Sequence, residues 1–70
     1  MKRKNIMQKL GKNLRRIREE NGLTQGDIYR KLGMDRGYIS GIENGHRNPT
    51  LLNIEKLAKV LDISVDELLK

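Results

Sequence analysis

Apolar residues recur along this 70-residue chain at intervals of three and four, the spacing of a helix face rather than of a strand. Ile6, Leu10, Leu14 and Ile17 form one stripe, so a first helix is expected from about Ile6 to Asn21, where the Asn21-Gly22 pair stops it. Thr24 opens "TQGD", with Asp27 three residues on as in a capping box, and a second helix follows from about Gln25 to Leu32, turning Ile28 and Leu32 inward. Gly33 suits the left-handed residue that ends such a helix, and Asp35 suits the N-cap of a third, expected over Arg36–Asn44. Thr50 caps a fourth helix whose stripe is Leu51, Ile54, Leu57, Ala58 and Leu61. In "SVDE", Ser64 and Glu67 repeat the capping-box logic and open a short fifth helix carrying Val65, Leu68 and Leu69. The pattern predicts an all-α, compact five-helix bundle, one domain over residues 1–70 with a basic N-terminal tail over residues 1–5.

The third helix carries a puzzle, because "GMDRGYISGIENG" has glycine at every fourth position and a glycine inside a helix costs about 1 kcal/mol relative to alanine. At about 100° per residue, Ile39 and Ile42 fall on one side. Gly37 and Gly41 fall opposite, next to Ser40 and Asn44, while Gly33 and Gly45 lie just outside the helix as punctuation. The expectation is a helix stripped of side chains on its outward face, which lets another surface come close.

Charge says what kind of surface that is. Net charge is +6, and residues 1–22 hold eight Lys and Arg against two acids, so the whole excess lies at one end. One-ended basicity is the footprint of a polyanion binder, although a solvated basic face has the same composition. No cysteine is present, and the single histidine, His46, cannot make a zinc site alone, so no metal and no cofactor are expected. The same scarcity leaves no nucleophile and base for catalysis. The N-terminal "MKRKNIMQKLGKNL" is too polar for a signal peptide and no run is long enough to span a bilayer, so a cytoplasmic protein without a membrane partner is expected.

A helix, a glycine turn and a second helix with a bare outward face is the geometry of a helix-turn-helix. The run "LTQGDIYRKLGMDRGYISGIENG" resembles the phage repressor and Cro family of bacterial DNA-binding regulators, and the likeness extends through "LRRIREENGLTQ" before it and "RNPTLLNIEKLAKVLDISVDELL" after it. Within that family "DRGYISGIENGHRNPTL" is similar to the controller proteins of restriction-modification systems. The resemblance implies a lambda-repressor-like fold, a third helix lying in the major groove of double-stranded DNA, and a role in transcription regulation with no evident small-molecule effector.

On that frame the base-contacting positions are Arg36, Gly37, Ser40, Gly41 and Asn44. Arg36 can donate two hydrogen bonds to guanine, Asn44 can pair with adenine or merely end the helix, and the two glycines read nothing but leave room. Gln25, at the free N–H groups that open the second helix, resembles the family's phosphate clamp; Tyr38, Arg47 and Asn48 are expected on phosphates of the other strand, with His46 either beside them or a plain loop residue. Lys2, Arg3 and Lys4 can reach a minor groove as N-terminal arms do, or stay a solvated tail. Glu43 falls on the Ile39 side of its helix and Arg18 on the core side of the first, so a semi-buried Arg18–Glu43 ion pair is expected, as the resemblance also implies; an exposed Glu43 is the alternative. Tyr29 departs from the family's usual alanine, and its ring must either widen the helix crossing or swing outward.

Family members commonly bind pseudopalindromes as dimers. Leu52, Val60, Val65 and Leu69 lie outside the core stripes and are the expected homodimer interface; the alternative is that they close the core of a monomer. The rival function is a protein-binding module of the same fold, an antitoxin or adaptor. The basic first helix and Arg36 favour DNA.

Overall fold

The computed structural model describes residues 3–70, with side chains from residue 5 onward. Its helices are α1 (Arg3–Glu20), α2 (Gln25–Leu32), α3 (Arg36–Glu43), α4 (Leu51–Val60) and α5 (Val65–Leu69), with no strand among the described residues. α1 therefore begins three residues before Ile6 and takes up part of the expected tail over residues 1–5; Lys2 lies outside the described residues. Arg, Lys and Asn do not break a helix, and an apolar stripe that starts at Ile6 cannot announce a polar first turn.

Local chemistry explains most helix ends. At α2 the capping box is complete: the Asp27 amide donates to Thr24 Oγ1 at 3.0 Å and the Thr24 amide donates to Asp27 Oδ2 at 2.8 Å. These hydrogen bonds from Thr24, backbone first, hold the Asp27 carboxyl below its usual pKa, with Arg30 assisting. At α4 the Asn53 amide donates to Thr50 Oγ1 at 3.1 Å. The capping box expected at α5 does not form: Ser64 stands at the N-cap without a side-chain bond, the Glu67 amide donates to the Ser64 carbonyl at 3.1 Å, and the Glu67 carboxylate turns forward to the Lys70 ammonium at 2.9 Å.

α1 packs against α3 and α5, α2 against α3 and α4, and α4 against α5. Leu14, Ile28, Ile39, Ile42, Leu57 and Leu68 are fully buried at the centre, each such side chain contributing about 1.5–3 kcal/mol relative to exposure. Two stripes overrun this core. Leu51, expected inward, is 77 % exposed, and Ile6 is exposed as well; both occupy the outer turn of their helix, and no opposing element among the described residues covers them. No helix among the described residues is long and apolar enough to cross a membrane.

α1 and α3 meet at Gly11, which is buried. A Cβ there would run into the Ile42 carbonyl oxygen and lie 2.7 Å from that of Glu43, so the backbones approach more closely than any side chain allows.

Candidate nucleic-acid interface

The α2–α3 pair is set by Ile28 and Ile39, both with no exposed surface, and by Gly33, whose φ of 68° turns the chain between the helices. With Ile39 and Ile42 pointing inward, the other side of α3 must face out. Arg36, Gly37 and Asn44 are exposed and Ser40 and Gly41 are half-buried. A Cβ at Gly37 would meet only the Asp35 carboxylate, at 3.2 Å, so that position is open.

Gly41 is not. Its missing side chain leaves a slot filled by the stem of Arg47, whose Cγ lies 2.5 Å from where a Cβ would stand. The expected bare face is thus bare at Gly37 and covered from within at Gly41, because the chain folds back over α3 as it leaves the helix. α3 itself stops at Glu43, one residue short of expectation. Asn44 is its C-cap, and its side-chain amide donates to the Ser40 carbonyl at 2.9 Å, so reading adenine requires it to leave that bond.

Beneath this face lies the expected ion pair. Arg18 Nε and Nη2 donate to the two Glu43 carboxylate oxygens at 2.7 and 3.0 Å, with the side chains only 10 % and 2 % exposed. Arg18 Nη1 also donates to the Leu23 carbonyl at 2.8 Å. The hydrogen bond to Glu43 raises the guanidinium pKa further above its ordinary value, against the opposing effect of burial.

Gln25 joins the pair. Its Nε2 donates to Glu43 Oε1 at 2.9 Å, which leaves its second amide hydrogen and its carbonyl for an outside partner. Next to it, the amides of Gln25 and Gly26 open α2 and have no intrahelical acceptor. Tyr38 is similarly half-engaged: its hydroxyl accepts from Asn53 Nδ2 at 3.1 Å and keeps its own hydrogen to donate. His46, Arg47 and Asn48 are exposed in the loop after α3. Tyr29 has not swung outward; half-buried, it packs against the core, with the Arg30 guanidinium 5.8 Å from its ring centroid.

The cations of this surface differ in freedom. Arg15, Arg16 and Arg30 are paired with Glu19, Glu20 and Asp27 on their own helices, whereas Lys12, Arg36 and Arg47 have no acidic partner among the described residues. Lys12 and Arg15, with Gln8 and Asn44, border a shallow cleft between α1 and the C-terminal end of α3.

A helix-turn-helix family profile matches residues 14–68, from the middle of α1 to the end of α5. The chain belongs to the helix-turn-helix family. Among relatives within it, the uncharacterized HTH-type transcriptional regulator y4dJ of Sinorhizobium fredii is 43 % identical over 63 residues, which is 89 % of this chain and 82 % of that protein. The crystal structure of the restriction-modification controller protein C.AhdI from Aeromonas hydrophila superposes with a TM-score of 0.85 at 45 % identity, covering 89 % of this chain and 94 % of the other. The controller protein C.Esp1396I, solved as a tetramer in complex with its natural 35 base-pair operator, gives 0.78 at 37 % identity, over 93 % of this chain and 96 % of the other. These relatives are named as a transcriptional regulator and as restriction-modification controllers.

Three residues on α1 and α4 that support this face are missing from the sequence reading. Gly11 carried a signal, a lone glycine inside a helical stripe, which usually marks a packing contact. Gln8, whose Cγ lies 3.1 Å from a notional Cβ on Gly45, and Asn53, which holds Tyr38, carried none, since polar residues on a helix read as solvated.

Proposed function

We propose that this chain is a sequence-specific regulator of transcription that binds double-stranded DNA with α3 in the major groove. The observation that carries the reading is the outward face of α3: Arg36 is exposed and without an acidic partner, Gly37 beside it is open, and donors flank the face on both sides. Arg36 donates to O6 and N7 of guanine, the commonest specific pairing in that groove, while Ser40 and, once released, Asn44 contribute further base contacts. Gln25, with the first amides of α2, and the hydroxyl of Tyr38 hold phosphates and fix the register, with Asn48 beside them. Lys12 and Arg15 add sequence-independent attraction.

The operator is a pseudopalindrome bound by a homodimer. Support comes from Leu51 and Leu52, 77 % and 60 % exposed at the start of α4, from exposed Leu69 on α5, and from the tetramer that C.Esp1396I forms on its own operator. Val60 and Val65, expected in the same interface, are instead half-buried against the core, as the monomer alternative has them. The chain has no enzymatic activity and works in the bacterial cytoplasm, where the DNA is. An antitoxin or adaptor role is less well supported, because it leaves the unpaired Arg36 without a task.

Selection of bound sequences from a random duplex library tests this directly, returning half-site, spacing and symmetry together. Arg36→Ala is expected to lose roughly 1–3 kcal/mol of discrimination at one base pair. A wild-type chain that retains no consensus, with equal affinity for selected and scrambled duplexes, refutes the proposal.

A further inference from the structure

We infer that Arg47, although it lies outside the recognition helix, is a specificity-determining residue that occupies the base-reading place of position 41. The inference rests on the DNA-binding reading above and deepens it. After α3 the chain reverses through Gly45, whose φ is 75°, with the Gly45 amide donating to the Ile42 carbonyl at 3.0 Å and the His46 amide to the Gly41 carbonyl at 2.8 Å. These two bonds form a Schellman closure, which fixes the direction of departure and brings residue 47 alongside the helix it has just left. There the Arg47 stem crosses the naked Cα of Gly41: Cγ, Nε and Cδ would lie 2.5, 3.4 and 3.5 Å from a Cβ at that position. Any side chain at 41 would occupy the space of that stem.

The guanidinium is thereby carried onto the face that bears Arg36 and Ser40, and no acidic partner among the described residues draws it elsewhere. A side chain sent only to the flanking phosphates has no need of a socket in the base-facing side of α3. A planar fork of donors held on that side suits the paired acceptors of guanine, as it does for Arg36. Positions 36 and 41 are five residues apart, about 7.5 Å along the helix axis, so the base pair read by Arg47 lies about two steps of 3.4 Å from that read by Arg36. Gly41 then serves as the seat of a reader supplied by the loop.

The test is bound-sequence selection followed by titration of single-base variants of the selected half-site, with wild type, R36A, R47A, R47K and G41A. R47A and R47K are each expected to lose roughly 5- to 150-fold discrimination at one base pair, different from the pair affected by R36A. Lysine keeps the charge but not the fork. G41A is expected to reproduce that loss with Arg47 still present, because its methyl evicts the stem; its melting temperature should not fall, since the only neighbour displaced is a flexible side chain. If R47A instead weakens all sequences by one factor, R47K restores them, and the salt slope falls by about 1, Arg47 is a phosphate contact and the inference is wrong. That outcome leaves the wild-type consensus intact and so spares the proposed function, whereas a wild type without any consensus overturns both.

Discussion

Glu43→Ala should bring the domain close to unfolding. The carboxylate accepts from Arg18 at 2.7 and 3.0 Å and from Gln25 at 2.9 Å, and its side chain is 2 % exposed. Its removal leaves the Arg18 guanidinium, 10 % exposed, with the Leu23 carbonyl as its one remaining partner among the described residues. Stranding a charge in that way costs about 3–5 kcal/mol, most of it the penalty on the survivor rather than the value of the pair. A chain of this length has a total stability of roughly 4–10 kcal/mol, so about a third or more of it is at stake. Urea unfolding followed by circular dichroism measures the loss as a drop in midpoint at constant slope. The double variant Arg18→Met/Glu43→Leu should recover most of the stability, because apolar groups of similar size leave no stranded charge, and only the half-buried Gln25 amide and Leu23 carbonyl lose a partner. If Glu43→Ala keeps the wild-type midpoint, the buried-charge argument is wrong; if the double variant is no better than the single, the cost lies in packing instead.

Gly11→Ala should also destabilise, by up to about 2 kcal/mol in urea, as overpacking of about 1–3 kcal/mol outweighs the gain of about 1 kcal/mol in helix propensity; an unchanged or higher midpoint would show that α1 can back away from the Ile42 and Glu43 carbonyls. The Asp27 carboxyl titrates below its unfolded value of about 3.8, so its cap contributes stability above that pH and loses it as pH falls through the lower folded value. Amide shifts of Thr24 and Asp27 in an acid titration should follow that loss, and in Asp27→Asn the titration should vanish. Leu52→Asp should convert the proposed homodimer to a monomer in sedimentation at tens of micromolar while circular dichroism still reports the folded helices, since that side chain is 60 % exposed; a dimer that survives places the interface elsewhere.

Periodicity made the centre of the fold legible and lost accuracy toward its edges. Ile28, Ile39 and Ile42 sit where the wheel puts them, fully buried. Leu51 has the same angular claim on the core and is exposed, because a wheel reports direction and not how far the opposing element extends. The Arg18–Glu43 pair was readable since two charges pointed inward from different helices. The Thr24–Asp27 cap was readable because its bonds are local, yet the same pattern at Ser64 and Glu67 does not close, the Glu67 amide donating to the Ser64 carbonyl and its carboxylate pairing with Lys70. Gly41 shows the limit most plainly. Its place on the outward side was evident, but what stands over it depends on a chain reversal four residues later.

The buried Arg18–Glu43–Gln25 cluster separates two kinds of position in this molecule. Changes beneath α3 alter foldedness and the pose of the helix together, whereas Arg36, Gly37 and Ser40 touch no buried charge and are exchangeable one at a time. A scaffold divided in this way can be given a new target sequence by rewriting a handful of exterior codons, with no compensating substitutions in its interior.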